Sequence, residues 1–226
     1  MAQTSTIQAA ALKPAPAVQL PPTDLELVAL ISSKICHDVI NPVGAIYNGL
    51  EILNEEEEAG AKAHAMDVIK NVTEQASARL QFARFAFGAA GSAGSMIDLA
   101  TAEQISRGSL GSGKHKLVWK GPPGHVGKDR VKVLLNMVSS AVSALPRGGE
   151  IEVNVKGPLE TATFEVRCKG SGARPPQHLV EFLSGGPMPV LDTMSIQPYY
   201  TFRLAQSAHM KLEVIKDGTD VVLLAR

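Results

Sequence analysis

A histidine beside an aspartate, in the run Ser33-Lys34-Ile35-Cys36-His37-Asp38-Val39-Ile40-Asn41-Pro42, is the part of this 226-residue chain best equipped for chemistry. An imidazole is substantially unprotonated near neutral pH and is then a nucleophile. A carboxylate next to it can orient the ring or take up its proton. The other chemistry-bearing residues are scattered: His115, His125, His178 and His209 occur singly, and Cys36 and Cys168 lie far apart. Cys36 and His37 diverge on a helix and no Cys-x₂-Cys spacing exists, so no metal site is expected.

Whether His37 can meet another molecule depends on the element that carries it. Thr23 followed by Glu26 is a capping-box pattern, which predicts a helix starting near Asp24. Val28, Ile31, Ile35, Val39, Val43, Ile46, Leu50 and Leu53 then recur at spacings of three and four, an apolar helical stripe. At about 100° per residue His37 lies about 200° around the helix from Ile35, nearly opposite the stripe. Ser33, Asn41, Gly44 and Asn48 share that outer face and leave room for another protein. Pro42 falls in mid-helix, where it removes the hydrogen bond to the Asp38 carbonyl and favours a local bend.

The glutamates from Glu55 to Glu58, with Gly60, read as a solvated turn. A second stripe, Met66, Ile69, Val72, Ala76, Leu80, Ala83 and Phe87, ends before Gly88, so residues 23–88 form a helical hairpin. Ile40, Tyr47 and Phe85 lie off the stripes. Pairing two hairpins into a dimeric four-helix bundle would cover them, and packing on a second domain is the alternative.

Residues 1–22, rich in Ala and Pro with almost no charge, read as a disordered tail, and 89–95 as a linker. From 96 to 226 the pattern is α+β. Strands are predicted over 117–120, 150–156, 162–168, 211–215 and 220–224, and helices over 126–145, 176–183 and 202–209. Charge is balanced, 22 basic against 22 acidic residues, which argues against nucleic acid as a main partner. Two cysteines without pairing spacing suit a reducing compartment. No leader-like start and no long apolar run is present, so the chain reads as a cytoplasmic protein that does not engage a membrane.

His37-Asp38-Val39-Ile40-Asn41-Pro42 resembles the phosphoacceptor box of sensor histidine kinases, His-Glu/Asp-x-x-Thr/Asn-Pro, on the first helix of a dimerisation hairpin. The α+β part is similar to their Bergerat-type ATP-binding domain, an α/β sandwich, in altered form. In Leu135-Asn136-Met137-Val138-Ser139-Ser140-Ala141, Ser140 replaces an asparagine that would hold Mg²⁺. In Val166-Arg167-Cys168-Lys169-Gly170-Ser171-Gly172, Cys168 replaces the adenine-reading aspartate, and a thiol is a poor acceptor. Gln197-Pro198-Tyr199-Tyr200-Thr201-Phe202 replaces the glycine-rich phosphate loop. A kinase-like chain without its nucleotide site resembles the histidine phosphotransferases of the ChpT type.

That resemblance implies that His37 accepts a phosphoryl group from a receiver-domain aspartate and passes it to another receiver, with no ATP bound by this chain and Mg²⁺ supplied by the receiver. Asp38 would orient His37. Lys34, Asn41 and, if the arms pair antiparallel, Arg79 would lie within reach of the phosphoryl group, and Pro42 would bend the helix. Ile40, Gly44, Tyr47 and Phe82 are candidate receiver contacts. The implied partners are a second copy of the chain, a hybrid kinase receiver of the CckA type, and response regulators such as CtrA and CpdR. The rival readings are a dimeric adaptor that sequesters receivers without passing phosphate, and an ATP-dependent kinase with an unorthodox pocket.

Overall fold

Helix α1, Asp24–Glu55, starts on the capping box anticipated from the sequence. Thr23 N donates to Glu26 Oε2 at 2.8 Å and Glu26 N donates to Thr23 Oγ1 at 3.3 Å. Helix α2, Ala59–Ala86, returns antiparallel, and the two arms cross closely at Gly49, where a Cβ would stand 2.6 Å from Ile69 Cγ1. The computed structural model describes residues 21–55, 58–88 and 94–226. The tail through residue 20, Glu56 and Glu57 of the glutamate turn, and residues 89–93 of the linker lie outside the described residues.

The remaining elements are β1 (Met96–Asp98), α3 (Leu99–Leu110), β2 (His115–Lys120), β3 (His125–Gly127), α4 (Lys128–Ala144), β4 (Gly149–Lys156), a 3₁₀ turn at Leu159–Thr161, β5 (Thr163–Lys169), α5 (Gln177–Leu183), α6 (Ile196–Ser207), β6 (Leu212–Asp217) and β7 (Asp220–Ala225). Five strands form one sheet in the order β2-β4-β5-β7-β6, parallel between β2 and β4 and antiparallel elsewhere. β1 and β3 pair separately.

Alternation along β5 sets the two faces of the sheet. Phe164, Val166 and Cys168 turn inward, against Ala225, Leu223 and Val221 of β7. Glu165, Arg167 and Lys169 turn outward into ion pairs with Lys156, with Asp217 and Asp220, and with Glu150 and Glu152. The inner face packs on α4, whose residues 131–138 are all buried. The chain is thus a helical hairpin followed by a layered α+β unit.

Several predicted elements shift. The helix expected from Val126 begins at Lys128, because Val126 pairs with Ile97 in the small sheet. The helix expected from Phe202 begins at Ile196, so the segment read as a substitute phosphate loop is itself helical. Pro198 is tolerated there because the first-turn amides of a helix have no intrahelical acceptor. α3 has no counterpart among the predicted elements; Asp98 caps it by accepting from Ala100 N at 3.1 Å.

Candidate functional site

His37 stands on α1 with 66% of its side chain exposed. Ile40, Gly44 and Tyr47 follow at helical spacing, and all three are exposed. Ile40 and Tyr47 are 66% and 62% exposed, large values for apolar side chains, and no heavy atom lies within 4 Å of a Cβ built on Gly44. Asn41 and Asn48 flank the strip and are exposed too. Phe82, expected to join this surface, does not. It is half-buried against the α+β core and meets Phe87 edge-on at a centroid distance of 6.4 Å.

The residue after the nucleophile is held twice. Lys34 Nζ, one turn earlier, donates to Asp38 Oδ1 at 2.6 Å and also contacts Oδ2. Arg79 Nη1, from α2, donates to the Asp38 carbonyl at 2.6 Å. That carbonyl is the one Pro42 leaves without an intrahelical donor, and Pro42 itself is buried. The antiparallel arms therefore bring Arg79 beside His37 as anticipated, but its guanidinium meets the backbone. Both Lys34 and Arg79 are engaged by Asp38, one at its carboxylate and the other at its carbonyl. The Asp38 carboxylate lies 3.6 Å from His37 Nδ1, an electrostatic contact beyond hydrogen-bond range.

Lys34, Asp38, Arg79 and Phe82 also line a cleft of about 690 Å³ between the hairpin and the α+β unit, with Arg174 and Gln197 opposite. The two parts are tied at the end of α2. Asn136 Nδ2 donates to the Ala86 carbonyl at 3.1 Å, and Tyr200 OH donates to the Phe87 carbonyl at 3.4 Å. Tyr199, Ile196 and Phe182 form a second apolar cluster, packed on Leu27, Leu30 and Ile31 of α1.

Comparison with known proteins bears on this arrangement directly. The family described as the histidine phosphotransferase C-terminal domain matches residues 99–220. The protein phosphotransferase ChpT of Brucella abortus (strain 2308) is 45% identical over 202 residues, which cover 89% of this chain and 95% of that protein. A solved bacterial phosphotransferase superposes with a TM-score of 0.83 at 40% identity, covering 93% of this chain and all of that one. This chain belongs to the ChpT-type histidine phosphotransferases.

In this phosphotransferase the kinase-like positions singled out in the sequence are filled by the protein's own contacts. Ser140 Oγ donates to the Asn136 carbonyl at 3.0 Å. Gln197 Nε2 reaches the Asn136 carbonyl at 3.0 Å, Asn136 Oδ1 at 3.2 Å and Thr201 Oγ1 at 3.0 Å. All four residues are buried, so α4 and α6 are joined through a satisfied polar network. Cys168 is fully buried, and burial first, then the charge of Asp220, pushes its thiol up to about 12. Burial likewise raises the Tyr200 hydroxyl, with Asp129 adding to the shift. Gln197 and Thr201 are not marked as a pair by any local motif. Their i, i+4 spacing on a helix is the available signal, hidden by the reading of that segment as a loop.

Among the described residues, no helix is long and apolar enough to cross a membrane. No cluster of three or more His, Cys, Asp or Glu among them could hold a metal ion.

Proposed function

We propose that His37 is the phosphoacceptor of a phosphorelay, taking a phosphoryl group from the receiver-domain aspartate of a hybrid histidine kinase and giving it to the receivers of response regulators. The observation that carries this reading is the exposed strip of His37, Ile40, Gly44 and Tyr47, a nucleophile set among small and apolar side chains on an exposed face of α1. The Asp38 carboxylate lies 3.6 Å from Nδ1, and in this reading Nε2 is the attacking nitrogen. Its lone pair attacks phosphorus, the N–P bond forms as the acyl O–P bond breaks, and the aspartate leaves as a carboxylate. The positive charge that develops on the ring is offset by the Asp38 carboxylate. A second receiver's carboxylate reverses the step. The receiver supplies Mg²⁺ for both transfers, which depend on positioning and charge neutralisation.

The chain has no autokinase activity in this reading. What supports this is that Ser140, Cys168, Tyr199 and Tyr200 are engaged in packing or in hydrogen bonds within the protein, where a nucleotide site needs acceptors and open backbone. The chain works as a homodimer. Val43 and Leu50 on α1, about 90° around the helix from the His37 strip, and Met66 and Leu80 on α2 are apolar and exposed, which suits a four-helix bundle with a second copy. By family likeness, the donor is a receiver of the CckA type and the acceptors are of the CtrA and CpdR type.

The test is relay between two purified receivers. Phosphate moves from the first receiver to the second only when this protein is present, and His37→Ala abolishes the movement while both receivers still bind. Relay that survives His37→Ala would remove His37 from the pathway; binding without relay in the unaltered protein would leave a sequestering adaptor.

A further inference from the structure

We infer that Arg79 is a positioning residue for His37, acting through the backbone defect that Pro42 creates, and that it does not touch the phosphoryl group. The inference rests on the phosphotransfer reading above.

In an uninterrupted α1 the amide of residue 42 would donate to the carbonyl of Asp38. Proline has no amide hydrogen, and its ring crowds that carbonyl outward. Pro42 is buried against the hairpin, so the defect sits inside the helix pair and not at a frayed end. Arg79 reaches the carbonyl from the neighbouring helix, 41 residues away in sequence, with Nη1 at 2.6 Å. A charge-assisted donor takes the place of the missing amide, and it is anchored in α2 and not in α1. The carbonyl that Pro42 leaves open, one residue after His37, is therefore held by the second arm of the hairpin.

The side chain of the same residue is fixed from the other direction by Lys34, at 2.6 Å. Asp38 is held at its carbonyl by one cation and at its carboxylate by another, so the residue bonded directly to His37 is confined at its side chain and at the peptide unit that follows it. Without Arg79 the carbonyl turns to solvent and the backbone that carries the imidazole gains freedom. In-line attack at phosphorus tolerates little such freedom, because misplacement of the reacting atom by a fraction of an ångström to an ångström is costly in rate.

The two roles open to Arg79, backbone brace and phosphoryl contact, separate in a double-mutant cycle with Pro42→Ala, which returns an amide donor to the Asp38 carbonyl. Transfer of phosphate from a labelled phosphoreceiver to the unaltered chain, Arg79→Ala, Pro42→Ala and the double variant is followed at saturating and at limiting receiver. The expected result is a loss of about tenfold in the maximal rate for Arg79→Ala, with little change in the receiver concentration giving half that rate. In the Pro42→Ala background the same substitution costs less than about twofold. In the resting proteins, the ¹⁵N imidazole resonances of His37 shift or broaden on Arg79→Ala when residue 42 is proline, and stay in place when it is alanine. An equal rate loss in both backgrounds, or an unchanged His37 spectrum in Arg79→Ala, overturns the inference. An unaltered chain that takes no label at all sinks the phosphotransfer reading itself, a different and separately visible failure.

Discussion

The hairpin and the α+β unit treat their polar and apolar groups in opposite ways. On the hairpin, large apolar side chains such as Ile40, Val43, Tyr47 and Leu80 face solvent, and His37 stands among them. In the α+β unit, the polar side chains Asn136, Ser140, Gln197 and Thr201 are buried and spend their hydrogen bonds on each other and on the backbone. An apolar surface in water and a buried polar network are each unfavourable unless covered or satisfied. The network is already satisfied within the chain, since no buried side-chain N or O among the described residues lacks a partner. Among the described residues nothing covers these hairpin side chains. In the proposed relay this region meets partners and the other holds it in place.

That contrast can be broken most severely at the hairpin. Replacing Val43 and Leu80 by aspartate places charges on the surface assigned to the second copy, and the protein should sediment as a monomer while keeping its helical circular dichroism. A shift of more than about 100-fold in dimer dissociation is the expected scale for charges forced into an apolar interface. Unchanged sedimentation would mean that this face is covered by something else.

The complementary test removes a donor from the buried network. Asn136→Ala takes from the Ala86 carbonyl its side-chain donor and from Gln197 Nε2 one of its acceptors, and should lower unfolding stability by about 2–3 kcal/mol, read from chemical denaturation. Gln197→Leu, similar in volume, should cost less than Asn136→Ala, because it removes a shared donor and leaves Asn136 bonded to Ala86 and Lys132. Equal and negligible effects would show that the network adds nothing to the union of α4 and α6.

A smaller effect belongs to the outward face of the sheet. The Lys169 ammonium, then Asn154 and Lys120, hold the Glu152 carboxyl down to about 2, below its ordinary value of 4.5. A carboxyl depressed in the folded state stabilises fully above pH 4.5, and that contribution is lost as the pH falls toward 2. Glu152→Gln should therefore destabilise by about 1–2 kcal/mol at neutral pH. The difference between the two proteins should close in acid, and a gap that stays constant from about pH 7 to about pH 3 would contradict the assignment.

The sequence reveals these regions unequally, for physical reasons. α1 is legible because a capping box and eight apolar residues at helical spacing agree, and because Pro42 and His37 occupy defined phases of the same helix. The spacing by itself predicts a buried stripe, yet Val28, Val43 and Leu50 are exposed, since one antiparallel partner covers only part of so wide a stripe. β1 and β3, three residues each, are too short for a periodic signal. The start of α6 is hidden by Pro198, which marks a loop in most contexts and a first helical turn here. The joining of Asn136 to Gln197 spans 61 residues and has no local signature. Antiparallel arithmetic places Arg79 near His37, but its actual acceptor, a carbonyl freed by a proline on another helix, follows only from three-dimensional contact.

In the proposed relay His37 receives its phosphate from another protein. The most direct measurement is to mix the chain, free of nucleotide, with a receiver carrying a labelled aspartyl phosphate, and in parallel with labelled Mg·ATP alone. The expected result is acid-labile, base-stable label that maps to His37 in the first mixture and none in the second. Label from Mg·ATP alone, or no label from the phosphoreceiver, would contradict it.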